Sequence, residues 1–381
     1  MSRSEAAGKA ASKTVGKGAS KSAGQAVNQD AGQALRDGRR VTLKDVAKAA
    51  GVSVGMASRV LSNYGSFSEA TRQRVEAAAR SLDYRPNHLA RSLRVGRTKA
   101  IGVVVSNILS YHWTTFIRGI EAAASGLGYQ VLLGTTADDP ETELAYLRTL
   151  QERNVDGIIL SPSPVNEPFV KKLIDSGLPM VLLENHDAEL RAPRINIDDR
   201  AAAEGAVRHL IDLGHERIGI VAGNQALLSG RDRLQGYRDA LTGAGLEVDA
   251  TLIGVGDYRF DPAYQATEAL LSLARPPTAL LVCNELMTGA ALQCLKDHGV
   301  SLPEDLSLVA FDDPAWTSFF RPAITTVRTP RTEIAQLALK TLLTCLQDPT
   351  AREAAASERL MPTDLVIRES AVAPRARVAR Q

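Results

Sequence analysis

Cysteine, histidine and aromatic residues are scarce in this chain, with three Cys, six His and 4% Phe, Trp and Tyr among 381 residues. Cys283, Cys294 and Cys345 are odd in number, lack metal-type spacing and fall in apolar patterns, so they read as buried, reduced thiols. No run of 18 apolar residues is present, which excludes a membrane-spanning helix. The first forty residues also lack the short apolar core of a secretory signal, so a cytoplasmic protein with no membrane partner is expected. Equally absent are G-x-x-x-x-G-K-[ST], G-x-S-x-G and H-E-x-x-H; GNQALLSGRDR carries glycines without phosphate-loop spacing. His215, in LGHERI, sits in a turn before a strand, the place of a satisfied structural histidine rather than of a catalyst. Without any nucleophile and base pairing, an enzyme is not expected, nor are a cofactor and a metal.

What is present is an ordinary globular composition, 44% hydrophobic and 23% charged, in a chain long enough for two or three domains. The net charge of +2 conceals an asymmetry. Residues 1–100 hold 19 Lys/Arg against 7 Asp/Glu, net +12, and the remainder holds 26 against 36, net −10. A basic head on an acidic body orients itself on a polyanion, and its affinity should fall steeply with salt. Residues 1–40, rich in Ala, Gly, Ser, Lys and Gln with Lys9, Lys13, Lys17 and Lys21, read as a disordered basic arm. Nonspecific phosphate contact and a merely solvated tail both fit it.

The densest signal is VTLKDVAKAAGVSVGMASRVL, residues 41–61. Thr42 can cap a helix whose Leu43, Val46, Ala47 and Ala50 recur at helical spacing, and Gly51 follows where a left-handed residue is wanted. Ser53 offers the next cap. Ala57, Val60 and Leu61 then form a buried stripe, while Val54, Gly55, Ser58 and Arg59 face outward. Ser68 caps a third helix, with Val75, Ala78, Ala79 and Leu82 closing the core. Such a helix-turn-helix reads DNA because a major groove about 12 Å wide admits one helix, whose first residues reach base edges. An all-α DNA-binding head is therefore expected over residues 41–85.

From Ala100 the pattern changes. AIGVVV, QVLLG, DGIIL and PMVLLE read as strands, separated by helices starting near Trp113, Glu141 and Glu167. After INIDD a second series follows with RIGIVAG, TLIGV, TALLVCN and LSLVAFDD. Alternation at this spacing predicts α/β architecture, two doubly wound parallel-sheet lobes over residues 100–370, with a ligand held at the carboxyl ends of the strands.

Between head and body runs YRPNHLARSLRVGRTKAIGVVV. With DVAKAAGVS and ASRVL before it, this order resembles the LacI/GalR family of bacterial transcription regulators, from about Val41 to Ser370. The resemblance implies a homodimeric repressor that binds double-stranded operator DNA under control of a small-molecule effector, with a periplasmic-binding-protein-like core. A carbohydrate is the effector class that it favours; a purine or other metabolite, or a DNA binder without a ligand, are the alternatives. It further implies a hinge helix and linker over residues 86–99, with Asn87 in its motif and Leu93, flanked by Arg91 and Arg94, as a wedge for the minor groove. ITTV and the helix from Arg331 should return the chain to the first lobe, and RLMPTDLVIRES looks like the family's closing strand. The tail from residue 371 to 381, AVAPRARVARQ, is expected to be disordered, and its lack of a leucine heptad favours a dimer over a coiled-coil tetramer.

Residue by residue, the resemblance places Val54 and Gly55 at the base-reading positions of the second helix. Gly55 has nothing to donate and Met56 stands for the usual Thr, so Arg59 is the expected main base reader, with Thr42, Ser53 and Ser58 toward the backbone. In the body, Arg233 of RDRLQGYRDA matches the family arginine that points into the cleft and grips a ligand hydroxyl or carboxylate. Asn284 and Asp312 end strands, where they can converge on a sugar; Asp198 in INIDD is a weaker effector-binding candidate that can instead cap the next helix. Asn107 and Trp113 of SNILSYHW, with Tyr258, would line the cleft, and Phe116 lines it or joins the core. Where the family often has Asn-Asp this chain has Asn284-Glu285, and that loop departs from the commoner Asn-Pro-Phe-Phe form.

Overall fold

The computed structural model describes residues 41–62, 64–84, 97–184, 190–348, 350 and 357–375. The expected basic arm and the hinge residues Asn87, Arg91, Leu93 and Arg94 lie outside them, as does the tail beyond residue 375. Contacts divide the chain into two units, Met1–Gly96 and Arg97–Gln381.

The first unit holds helices α1 (Leu43–Ala50), α2 (Val54–Leu61) and α3 (Glu69–Ser81). Local chemistry sets each boundary. Asp45 Oδ2 accepts from the backbone N–H of Thr42 at 2.8 Å and from its hydroxyl at 2.7 Å, closing the start of α1. Gly51 ends α1 at φ 61°, and the hydroxyls of Ser53 and Ser68 accept from Met56 N and Thr71 N, each at 3.2 Å. Val46, Ala57, Val60, Val75 and Leu82 meet in one small core, as the periodicity requires.

In the second unit the first lobe carries β1 (Ala100–Val105), α4 (Tyr111–Gly126), β2 (Gln130–Thr135), α5 (Pro140–Glu152), β3 (Gly157–Leu160), α6 (Glu167–Asp175), β4 (Met180–Leu183) and β5 (Arg194–Ile197). The second carries α7 (Asp199–Asp212), β6 (Ile218–Ala222), α8 (Leu228–Gly243), β7 (Ile253–Val255), α9 (Phe260–Leu271), β8 (Ala279–Val282), α10 (Glu285–Asp297), β9 (Ser307–Phe311), α11 (Trp316–Phe319) and β10 (Thr325–Arg328). Helix α12 (Arg331–Gln347) and strands β11 (Glu358–Met361) and β12 (Asp364–Val366) complete the unit. Each lobe has a six-stranded sheet, ordered β11-β5-β4-β3-β1-β2 and β12-β10-β9-β8-β6-β7. All pairings are parallel except the antiparallel β10 with β12. Fully buried strands such as VVV of β1 and ALLV of β8 are apolar throughout, because helices cover both faces. Among the described residues no helix is long and apolar enough to cross a membrane.

Three expectations change at the crossovers and the terminus. ITTV does not return to the first lobe: β10 pairs with β9 in the second sheet, and α12 makes the return by packing Ile334, Ala338 and Leu342 into the first lobe's core. RLMPTDLVIRES is two strands, since β11 pairs with β5 in one sheet and β12 with β10 in the other. The tail is anchored where it begins. Ala371 is buried, and the carbonyl of Val372 accepts from His215 Nε2 at 2.8 Å and Ser307 Oγ at 3.0 Å. His215 Nδ1 bonds Thr278 Oγ1 at 2.9 Å, so this histidine is fully satisfied, and the three cysteines are buried and outside any disulfide. Toward the other end Arg97 and Thr98 belong to the lobe rather than to a linker, Arg97 Nη2 donating to Leu346 O at 2.9 Å and Thr98 N to Asp156 Oδ1 at 2.7 Å.

Gly236 lets α8 lie against α7. A Cβ there would stand 2.1 Å from the backbone oxygen of Arg200, a clash that no rotamer relieves. Gly236→Ala should therefore lower the unfolding free energy by about 2–3 kcal/mol, read as an earlier urea midpoint at unchanged slope.

Candidate effector cleft and nucleic-acid interface

Strand carboxyl ends from both lobes converge on a partly open cleft of about 600 Å3, the solvent-filled mouth included. The first lobe contributes Ser106 and Asn107 after β1, His112 and Trp113 of α4, Asp138 after β2 and Glu184 after β4. The second contributes Ser229 and Arg233 of α8, Tyr258 after β7, Asn284 and Glu285 after β8 and Asp312 after β9. Four of these strand-end residues adopt left-handed backbone conformations that L side chains rarely take: Asp138 (φ 61°), Glu184 (φ 57°), Tyr258 (φ 56°) and Asp312 (φ 70°). Strain of this kind collects where a fold must aim side chains into a binding site.

Arg233 is the buried centre of the second lobe's half. Its Nε donates to Asp199 Oδ1 at 2.6 Å and its Nη1 to the carbonyl of Cys283, while the guanidinium lies 4.2 Å from the Phe311 ring centroid and 5.8 Å from that of Tyr258. Burial lifts the Asp199 carboxyl above its usual range, against the pull of Arg233. A second cluster joins the lobes. Glu184 Oε1 lies 2.6 Å from His112 Nε2 and 3.4 Å from Arg331 Nη1, and Arg331 Nη2 is 3.5 Å from Asp312 Oδ1. Burial works against the Glu184 charge, but His112, then Arg331 and Arg233, hold its carboxyl down at about 2. Asp312 is likewise held low: burial opposes its charge, and Arg331, His112 and Arg233 outweigh it. Glu285 goes the other way, pushed up to about 7 by burial and by the neighbouring Asp312.

The structure brings Asn107, Trp113, Arg233, Tyr258, Asn284 and Asp312 to this cleft as expected from the sequence. Asn284 both lines it and caps α10, its Oδ1 accepting from Met287 N at 2.8 Å. Tyr258 packs where only a glycine leaves room, since a Cβ on Gly223 would come within 2.1 Å of its ring. Asp198 is an exposed cap of α7, bonded to Ala201 N at 2.8 Å and not among the cleft residues; its neighbour Asp199 is the one that meets Arg233. Phe116 belongs to the core, edge-on to Trp113 at 5.8 Å. Sequence reasoning missed Asp138, Glu184, Asp199 and Arg331 as site residues, and left Glu285 without a role. The strand-end rule applied to PMVLLE would have reached Glu184; Asp199 and Arg331 are tied in only by long-range pairing.

In the head, α2 exposes Val54, Gly55 and Arg59, while Ala57 and Val60 turn inward. A Cβ on Gly55 would meet nothing nearer than Ser53 Oγ at 4.0 Å, so packing does not demand glycine there. Met56 is half-buried against the core, which accounts for an apolar residue at that position. Thr42 and Ser53 are engaged as helix caps, and Ser58 is half-buried.

Residues 42–87 match the family described as bacterial regulatory proteins, lacI family, and residues 207–371 match a periplasmic binding protein-like domain. The HTH-type transcriptional repressor CytR of Escherichia coli (strain K12) is 37% identical over 331 residues, covering 86% of this chain and 96% of that protein. The chain belongs to the LacI family. Catabolite control protein A of Priestia megaterium is 33% identical over 303 residues, 79% of this chain and 91% of the relative. Among solved structures, the Lac repressor dimer bound to operator and the anti-inducer ONPF superposes with a TM-score of 0.79 at 28% identity, covering 88% of this chain and all of that one. The CelR–cellobiose complex does so with a TM-score of 0.66 at 31% identity, over 87% of this chain and all of that one. A LacI family regulator from Enterococcus faecium with bound ribose gives 0.66 at 26% identity, over 72% of this chain and all of that one. The LacI-type head and the two-lobe core expected from the sequence are thus those of the family.

Proposed function

We propose that this LacI-family protein is a transcriptional repressor, a homodimer that reads a two-fold operator through paired α2 helices and is controlled by a sugar or sugar derivative bound between its lobes. The observation that carries this reading is the cleft itself. Carboxylates, two amides, serine hydroxyls and the Arg233 fork converge there around the faces of Trp113 and Tyr258, the mixed donors, acceptors and apolar faces that a polyhydroxylated ring needs. Relatives named as repressors and structural neighbours holding cellobiose or ribose support it. The two rings also suit a planar base, so a nucleoside is the second ligand class worth testing.

In this reading effector binding changes the relation of the lobes, the change passes through residues 86–99 to the heads, and the coupling is about 1–3 kcal/mol. Leu93, between Arg91 and Arg94, enters the minor groove of the operator. Selection of operators from random DNA, with and without a panel of sugars and nucleosides, tests the whole scheme. It should return a pseudo-palindrome whose affinity one compound changes by about 5–150-fold; a selection yielding no consensus would remove the reading. Arg59→Ala should weaken binding to the selected operator by about 1–3 kcal/mol and relax one base position in each half-site. Its nonspecific binding, carried by phosphate contacts, should change little in a fluorescence anisotropy titration.

A further inference from the structure

Glu285 is the first residue of α10 in the second lobe and is 8% exposed. Its Oε1 accepts from the backbone N–H of Tyr111, at the start of α4 in the first lobe, at 2.6 Å. One carboxyl thus bridges the lobes. Its Oε2 is buried at the cleft wall beside the Asp312 carboxyl, which it can bond only by sharing a proton, so the ionised form has no donor among the described residues. Buried acceptors are nearly always satisfied, and one left open in a binding cleft is an atom awaiting its partner.

We infer that Glu285 is a specificity-determining residue of the cleft, its Oε2 accepting from an O–H or N–H group of an uncharged ligand and its carboxyl turning away phosphorylated and carboxylated ones. The inference rests on the cleft being the effector site. The charges around it favour the same selection. Arg233 is matched by Asp199 and Arg331 by Glu184 and Asp312, and Asp138 adds a further carboxylate to the wall. Among the described cleft residues no cation is left over for a phosphate, whereas a hydroxyl meets acceptors on both lobes. A ligand donor on Oε2 also joins the bridge to Tyr111, so occupancy fastens α4 to α10.

The charged and titratable groups around Glu285 are Asp312 after β9 and Arg233 on α8 in its own lobe and His112, Glu184 and Asp138 in the first, with Arg331 on α12 paired to Asp312. Burial, then Asp312, raises the Glu285 carboxyl to about 7. An incoming O–H donates to the ionised form, so binding releases a proton. Affinity should accordingly improve about tenfold between pH 6 and pH 8, the change in the ionised fraction of a group titrating near 7.

The test uses the full chain. Ribose, cellobiose, adenosine and uridine are compared with ribose 5-phosphate and the two nucleoside monophosphates by thermal shift, and binders are titrated calorimetrically from pH 6 to 8. An uncharged compound should bind and the phosphates should not. Glu285→Gln, which puts an amide donor where Oε2 accepts, should weaken that compound at least tenfold and flatten the pH slope. Tight binding of a phosphate ester, or a Glu285→Gln variant with wild-type affinity and slope, would overturn the inference while leaving the effector site in place. Absence of any thermal shift across the panel would instead remove the effector reading on which it rests. Should Glu285→Gln fail to fold, the wild-type pH slope decides alone, and a flat profile counts against the role of Glu285.

Discussion

Arg233→Ala should cost the two-lobe unit about 3–5 kcal/mol in chemical denaturation and abolish its response to effector. The size of the effect follows from what the arginine leaves behind. Asp199 is buried and meets Arg233 Nε at 2.6 Å, so its carboxylate would face the interior without a counter-charge, and the Phe311 and Tyr258 rings would lose a neighbouring cation. Arg233→Lys should rescue little, because one ammonium cannot serve Asp199, the Cys283 carbonyl and two ring faces together. The pair Asp199→Asn with Arg233→Met separates packing from recognition. It should recover most of the stability, since a buried ion pair is often replaceable by apolar volume, yet remain blind to effector. An Arg233→Ala protein that unfolds like the wild type would show that the pair contributes nothing to the fold.

Glu184→Gln should destabilise the protein by about 3 kcal/mol at neutral pH, and the difference from wild type should shrink as the solution is acidified. The folded carboxyl titrates at about 2 against 4.5 when unfolded, a depressed value. Its stabilisation is therefore complete above pH 4.5 and is lost as pH falls through that value toward 2. At the acid end a protonated Glu184 resembles glutamine, and the two unfolding curves should converge. Urea titrations of both proteins at pH 7, 5 and 3.5 measure this directly. A difference that stays constant with pH would mean that His112 and Arg331 do not set the charge of Glu184.

Much of the fold was legible because its rules are local. Gly51 ends a helix and Ser53 and Ser68 start helices through contacts with residues three or four positions away, and the sequence carries those signatures openly. Apolar blocks such as GIIL and MVLL announced buried parallel strands for the same reason. The crossovers were less legible. ITTV and RLMPTDLV have strand composition in either sheet, and only the pairing of β10 with β9, and of β11 and β12 with different partners, assigns them. Asp198 and Asp199 differ by one position. The helical turn of α7 sends the first to solvent as a cap and the second to Arg233, a choice that depends on where α8 lies.

The sequence by itself determined a helix-turn-helix head, two parallel-sheet lobes, and the strand ends on which Asn284 and Asp312 stand. Only the tertiary structure decided which charges meet. Tyr111 and Glu285 are 174 residues apart yet pair across the cleft, and Glu184 and Arg331 are 147 apart yet pair at its first-lobe wall. Helix and strand periodicity report the residues on either side of a position, whereas a buried carboxyl takes its charge state from whatever the crossovers bring against it. Left-handed backbone at Asp138, Glu184 and Asp312 is of the same origin, held by the packed ends of two sheets and carrying no local signature in residue type.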